Sequence, residues 1–382
     1  MPKNICYVRA VVRIWGHEIK ASDLYLTVGF PPTLRSDSGL RTLRTEPLTI
    51  DEINEILASI LTNRQRRDFD THMELNTSLD VGRFGRYRVN ALRQRQCPAL
   101  VIRRIISKIP TFAELRLPVL LEKLALEKRG LILVTGMTGS GKSTTLAAMI
   151  DYRNAREEGH IITIEDPIEY FHDHKKSVIS QREVGVDTES YAVALKNALR
   201  QRPDVILVGE VRDREVMEQA LTAAETGHLC LATLHTNNTY QSIERIVNLF
   251  PEEYHSQIRL NLSMNLRGII SQRLIPCAKE GVGMTAAIEV MLNQGFVKEL
   301  IHMGDIAKIK EVMEQNNQMG MCTFDQSLLI LFKEGLITEE TALSQADQAG
   351  DLKIKIQQLK LGAGNKRDAF KQMDTSLLSF SD

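Results

Sequence analysis

The sequence predicts an α/β protein: a parallel sheet covered by helices, with a helical C-terminal part, preceded by a smaller N-terminal α+β domain. Two observations predict it. Between residues 131 and 235 the short β-rich runs "LILVT", "HIITI", "DVILVGE" and "HLCLATLH" alternate with amphipathic stretches, the rhythm of a sheet whose strands are buried on both faces. Ahead of them lies a separate set of strand and helix patterns, divided off by the proline-bracketed segment "SKIPTFAELRLP".

The N-terminal elements follow in order. In "DLYLTVG", Leu24, Leu26 and Val28 alternate with Tyr25 and Thr27, the period of a half-buried strand, which Pro31 and Pro32 end. "LRSDSGLRTL" reads as a hairpin with Asp37, Ser38 and Gly39 at its turn. Thr49 and Glu52 form a capping box for a helix that carries Ile53, Ile56, Leu57, Ile60 and Leu61 on one core-facing side. Further strands are expected in "MELNTSLDV" and "RFGRYRVNALRQR", the second dense in arginine.

At the boundary, Thr111 and Glu114 make a second capping box, and the helix "VLLEKLALEKRG" is expected to stop at Gly130 as its C-cap. After about residue 255 the pattern turns helical. "SQIRLNLSMNLRGIISQRL" and "TFDQSLLILFKEGLITEETALSQA" are its clearest stretches, with "GMTAAIEVM" as an added strand. The expected domains are 1–112 for the N-terminal domain and start of the linker, 113–362 for the sheet domain with its helical region, and 363–382 for a mobile tail carrying the short apolar "SLLSF".

Composition excludes several classes. The chain has 382 residues, 25% of them charged and 43% hydrophobic, and zero formal net charge. That balance supplies no basic field for nucleic acid. No apolar run approaches a membrane span, and "MPKNICYVRAVVRIWGHEIK" lacks the continuous apolar core of a signal peptide, so a cytoplasmic location is expected. The five cysteines, Cys6, Cys97, Cys230, Cys277 and Cys322, form no C-x-x-C pair, against a zinc site or a disulfide framework.

One motif carries chemistry by itself. "GMTGSGKSTT" follows the run "LILVT" and opens a helix-prone stretch, with Gly136, Gly141, Lys142 and Ser143 in the register G-x-x-x-x-G-K-[ST]. Backbone amides of Gly136, Thr138, Gly139, Ser140, Gly141 and Thr144, together with the following helix N-terminus, suit a triphosphate. Lys142 reaches the β- and γ-phosphates, and the Ser143 hydroxyl suits Mg²⁺. ATP and Mg²⁺ are the expected cofactors.

Phosphoryl transfer also needs carboxylates and positive charge. "DVILVGE" ends in Gly209 and Glu210 where an aspartate is usual, so Glu210 is the candidate partner of the metal. "HIITI" runs into "EDPIEY", which delivers Glu165, Asp166 and Glu169, any one of which could orient the attacking water. His228 and His235 bracket "LCLATL"; His235, at the Glu210 end, is placed to sense the γ-phosphate. Arg83, Arg86, Arg88, Arg93, Arg95, Arg103 and Arg104 are either a solvated basic face or a source of arginine fingers.

Taken together, "GMTGSGKSTT", "TIEDPIEY", "DVILVGEVRD" and "AAETGHLCLATLHT" resemble the Walker A, Asp, Walker B and His boxes of the secretion ATPase superfamily of type II and type IV pilus systems, in order and in spacing. "ASDLYLTVGFPPTLRSDSG" is similar to the start of that family's N-terminal domain. The resemblance implies a PAS-like N-terminal domain followed by a RecA-like P-loop ATPase domain. It implies Glu169 as catalytic base, Glu210 as the Walker B glutamate, Arg88 and Arg103 as arginines that reach phosphates, and His228 and His235 as the His-box pair. The single Cys277 after "SQRL", in place of a C-x-x-C pair, points to the pilus retraction branch. Met137 stands where the family usually has proline. A homohexamer is implied, in which nucleotide rotates N-terminal domains against neighbouring ATPase domains. Its implied partners are a principal retraction ATPase and a platform protein, at the inner face of the bacterial inner membrane. The alternatives are an accessory subunit whose nucleotide site is mainly structural, an assembly or secretion ATPase, and a nucleic-acid motor.

Overall fold

The computed structural model describes residues 21–36, 39–82, 85–105, 108–278, 283–316 and 319–362. Asp37 and Ser38 of the expected turn, Arg83, Cys6 with the N-terminal segment, and the tail 363–382 lie outside these residues. The chain divides into two compact units. One comprises 1–108 with Glu169–Phe171, and the other comprises 109–168 with 172–382.

The first unit is built on strands β1 (Ala21–Thr27), β2 (Thr33–Ser36), β3 (Gly39–Thr42), β4 (Glu74–Asp80), β5 (Arg86–Gln94) and β6 (Cys97–Arg104), in the order β3-β2-β1-β6-β5-β4. Every pairing is antiparallel. Helix α1 (Ile50–Ile60) begins at the Thr49–Glu52 capping box and buries Ile53, Ile56 and Leu57. The sequence reading missed α2 (Asn63–His72), which starts at a further capping box, Thr62 with Gln65. Its mean hydropathy is low and it buries only Phe69, so it has no apolar stripe to detect. Leu24, Leu26, Leu34, Leu57, Phe69, Tyr87, Val89 and Ile102 form this unit's core.

The second unit opens with α3 (Phe112–Leu115), capped by Thr111 and Glu114, and α4 (Leu120–Ala125). The latter ends at Leu126, so Gly130 is not its C-cap. Gly130 is the first residue of β7 (Gly130–Thr135). Its φ is +114°, and a Cβ there would come within 2.8 Å of Arg267 and the Asn265 carbonyl. Close approach of a neighbouring segment, rather than helix capping, calls for glycine.

From there run α5 (Lys142–Asn154), β8 (Gly159–Glu165), β9 (Ser177–Glu183), α6 (Tyr191–Ala198), β10 (Val205–Val208), α7 (Arg214–Glu225), β11 (Leu229–Leu234), α8 (Thr239–Val247), α9 (His255–Asn265), β12 (Leu266–Pro276) and β13 (Met284–Leu292). The sheet order is β13-β12-β7-β11-β10-β8-β9. All pairings are parallel except β12 with β13. Every residue of β7, β10 and β11 is buried, as expected of central strands covered on both faces.

The second half of "SQIRLNLSMNLRGIISQRL" overturns its helical reading: α9 stops at Asn265 and the remainder is β12. Lying between β7 and β13, β12 is buried on both sides over most of its length. Such a strand shows no alternation, and periodicity alone does not separate it from a buried helix. The chain continues with α10 (Phe296–Met303), α11 (Ile309–Gln315), α12 (Phe324–Lys333), α13 (Glu339–Gln345) and α14 (Ala349–Gly362). Helices α12 to α14 close a small core of their own over Ile275 and Ala287, with Phe324, Leu328, Leu352 and Ile356 inside it.

Candidate active site

Strand order collects the functional groups of the second unit. Parallel strands β7, β11, β10 and β8 are successive neighbours. The phosphate loop follows β7, His235 follows β11, Glu210 follows β10 and Asp166 follows β8. Four candidate elements therefore leave the sheet at its carboxyl edge, where ligands bind open α/β sheets.

The loop is shaped by close approach. A Cβ on Gly136 would lie 2.5 Å from both the Gln272 carbonyl and Ser140 Oγ, so only glycine lets the chain turn here. The amide of Ser140 donates to the Met137 carbonyl at 3.1 Å, closing a turn at the position where proline is usual. Met137, Thr138 and Gly139 form the exposed tip, and Ser140 is buried. Gly141 is the N-cap of α5 with no side-chain cap, leaving the first-turn amides for a ligand. Lys142 is 8% exposed, and its Nζ donates to the carbonyls of Gly136 at 2.8 Å and Met137 at 3.1 Å. Ser143 and Thr144 are half-buried in the same turn.

These residues fit a nucleotide phosphate on structural grounds. Ser140 Oγ is buried without a hydrogen-bond partner, the helix N-terminus lacks a cap, and a buried ammonium spans the loop. Together they form an anion cradle.

Glu210 sits between a guanidinium and an imidazole. Its Oε2 lies 2.8 Å from the Arg212 guanidinium and its Oε1 3.0 Å from His235 Nε2. Burial acts to raise the carboxyl's pKa, but the hydrogen bond and charge of Arg212, with His235 and Lys142, outweigh it and hold the group below the usual carboxylate range. Glu210 is therefore an anion at neutral pH. Arg212 also reaches Asp166 at 3.8 Å. The sequence reading missed Arg212, although two-residue spacing after Glu210 on an extended segment puts both side chains on one side.

The remaining candidates are distributed differently. His228 lies at the opposite end of β11, about 20 Å of strand from His235, with Nδ1 3.1 Å from the Ala223 carbonyl. The second unit therefore does not bring the two histidines together. Among the three acids after β8, Glu165 accepts from Thr163 Oγ1 at 2.6 Å and Gln181 Nε2 at 3.2 Å, which ties it into the fold. Glu169 is exposed and belongs to the first unit with Tyr170 and Phe171, where Arg86 stands 4.3 Å over the Phe171 ring. In that unit Arg88 and Arg103 face each other as a cross-strand pair on β5 and β6. Arg103 Nε is 2.7 Å from Asp23 Oδ1, yet its side chain is 64% exposed. Among the described residues no group of three or more His, Cys, Asp or Glu is placed to hold a metal ion.

Residues 57–332 match the family model for type II/IV secretion system proteins. The chain belongs to this family. Within it the chain is 47% identical to the type IV pilus ATPase PilU of Pseudomonas aeruginosa over 93% of its own length and 92% of that protein's. It is 43% identical to the retraction ATPase PilT of the same organism, over 85% of this chain and 94% of that one. The crystal structure of the pilus retraction motor PilT with bound ADP superposes with a TM-score of 0.85 at 43% identity, covering 91% of this chain and 99% of that one. This secretion-family chain is thus a mixed α/β P-loop ATPase of the pilus retraction kind. No helix among its described residues is long and apolar enough to cross a membrane.

Proposed function

We propose that this chain hydrolyses ATP to drive or assist type IV pilus retraction, as one subunit of a homohexameric motor. The observation that carries the reading is the convergence of the Gly136–Ser143 loop, the Glu210 anion and His235 at one edge of the sheet. In this reading the loop amides and Lys142 hold the phosphates, and Glu169 takes the proton of the attacking water as oxygen bonds to the γ-phosphorus and the bond to the β,γ-bridging oxygen breaks. Ser143 Oγ and Glu210 would hold magnesium, which would supply positive charge to the phosphates. His235, hydrogen-bonded to Glu210, reports the γ-phosphate, and His228 supports the far end of β11.

Arg88 and Arg103 supply positive charge to the phosphates. Their pairing supports this role, because like charges directly opposite on a sheet are unfavourable and Asp23 offsets only one of them. An anion between them would relieve the strain. The first unit, an antiparallel sheet with two helices, is read as the PAS-like domain of 1–112, and 113–362 as the RecA-like domain with its helical C-terminal region. The partners are a principal retraction ATPase and an inner-membrane platform protein, which hold the chain at the cytoplasmic face of the membrane.

The chain matches PilU over more of its length than PilT, and an assisting and an autonomous role both fit that similarity. Phosphate release by the purified chain, sized by light scattering and measured alone and with a PilT-type partner, tests both. Turnover by a hexamer alone marks an autonomous motor, and a Glu169-dependent gain on mixing marks an assisting one. No turnover in either arrangement would overturn the proposal.

A further inference from the structure

Tyr191 reaches the carboxyl edge of the sheet from a helix. It is the first residue of α6, behind the N-cap Ser190, whose Oγ accepts from the Val193 amide at 3.2 Å, and its side chain packs against the core of the second unit. The hydroxyl end comes to Gly209, the residue before Glu210. A Cβ there would lie 2.9 Å from Tyr191 Oη, 3.1 Å from the Ile164 carbonyl oxygen and 3.2 Å from Glu165 Cα. Gly209 has no positive φ, so crowding calls for glycine here, and the tyrosine hydroxyl fills part of the space that a side chain at 209 would need. The amide of Gly209 donates to the Ile164 carbonyl at 2.8 Å and its own carbonyl accepts from Thr233 Oγ1. Whatever displaces this residue displaces Glu210 with it.

The hydroxyl faces charge. Burial, together with the negative charges of Asp166, Glu210 and Glu165 and against the pull of Arg212, pushes its pKa up. The phenol therefore keeps its proton and stands as a donor among acids. Among the described residues it makes no hydrogen bond, while the residue is half-buried and its hydroxyl is open to water. A donor so placed reaches carboxylates through a bridging water. Arg212 does not hold both acids equally, since it lies 2.8 Å from Glu210 but 3.8 Å from Asp166. On the side of the phosphate loop, His235 and Lys142 face Glu210.

We infer that Tyr191 is a positioning residue of the hydrolysis site, its hydroxyl bearing on Gly209 and donating through water to Asp166 and Glu210, so that the Glu210 carboxylate keeps its place. Strand order puts β11 between β10 and β7, the strand that leads into the phosphate loop. The influence of Tyr191 on the phosphates therefore runs through Glu210, and it belongs to turnover rather than to nucleotide affinity. This inference rests on the reading of the chain as an ATPase and adds a residue to its machinery.

The test measures kcat and KM for ATP as a function of pH, beside calorimetric ATP binding, in the full-length wild type, Tyr191→Phe, Gly209→Ala and the double variant. Tyr191→Phe keeps the ring and its packing. It is expected to lower kcat about tenfold, the worth of one hydrogen bond to a charged group, with KM and binding unchanged. The acid limb of its pH–rate profile should move upward, because carboxylates that lose a donor take up protons more readily. Gly209→Ala should cost less turnover in the Tyr191→Phe background than in the wild type, because the oxygen that crowds the new methyl is gone. Wild-type kcat or an unmoved acid limb in Tyr191→Phe would overturn the inference, as would equal costs of Gly209→Ala in both backgrounds. A Tyr191→Phe chain too unstable to assay would overturn it as well, by making the hydroxyl structural. If the wild type bound ATP without turnover, alone and with a PilT-type partner, the ATPase reading would fall and this inference with it, a failure distinguishable from an active wild type with unaltered variants.

Discussion

His235 Nε2 lies 3.0 Å from Glu210 Oε1, while Arg212 holds the other oxygen at 2.8 Å. The two residues end neighbouring strands, β11 and β10, so the contact ties the segment after one strand to the carboxylate after the other. His235→Ala is expected to lower kcat on the order of a hundredfold with little change in KM for ATP. A steady-state titration against ATP checks this, and a rise in KM alone would remove His235 from the chemistry.

Against the upward push of burial, Arg212 lowers the pKa of the Glu210 carboxyl. Its replacement in Arg212→Ala removes the main influence that lowers the carboxyl's pKa, so protonation begins at higher pH. The acid limb of the pH–rate profile should therefore move upward, and an unmoved limb would assign Glu210 to a structural role.

Lys142→Ala is expected to abolish ATP binding and turnover together, because the loop loses its cation. Glu169→Gln should retain binding and lose turnover by roughly a hundredfold or more, because only the proton acceptor is removed. Calorimetric titration with ATP beside a phosphate-release assay separates the two. Unchanged hydrolysis in either variant would sink that residue's assignment.

The arginine pair makes a parallel prediction. Arg88→Ala should cost roughly a thousandfold in kcat if its guanidinium meets transition-state charge. In Arg103→Ala, loss of the Asp23 ion pair adds a stability term, which thermal unfolding would reveal. Without a fall in turnover, the pair would be only a solvated basic face.

Glu289 titrates in an unusual range. It is buried on β13, and its oxygens accept from the amides of Thr239 at 2.7 Å and Phe324 at 3.4 Å, the first residues of α8 and α12. Burial pushes its carboxyl up to about 7, against the opposing pull of the Thr239 hydrogen bonds. The folded state then holds a proton that the unfolded state has released, so stability falls as pH rises from about 4.5 to about 7. Across that window the loss amounts to roughly 3 kcal/mol. Unfolding midpoints at pH 5 and pH 8 should differ more for the wild type than for Glu289→Gln; equal differences would refute the assignment.

The elements legible in sequence are those whose signals are local. The capping boxes at Thr49 and Thr111 each satisfy helix amides within four residues, and the Gly136–Ser143 spacing carries its own turn chemistry. The four apolar runs became β7, β8, β10 and β11. Less legible were α2, which lacks an apolar stripe, and β9, whose burial follows no strict alternation. Arg212 was hidden for another reason: an arginine gains meaning only from the carboxylate it meets.

By itself the sequence determined the phosphate loop, the alternation that makes a parallel sheet and the family of ATPases to which the chain belongs, because turn chemistry, hydrophobic period and motif order are written in neighbouring residues. Tertiary structure alone decided that "LRGIISQRLIP" is a strand, since its state depends on pairing with β7 and β13, far away in the chain. It likewise separated His228 from His235 by the length of a strand and grouped Glu169 with the N-terminal unit. It also brought the Tyr191 hydroxyl against Gly209. Strand pairing, burial and the meeting of charges are long-range quantities, fixed only when distant segments pack.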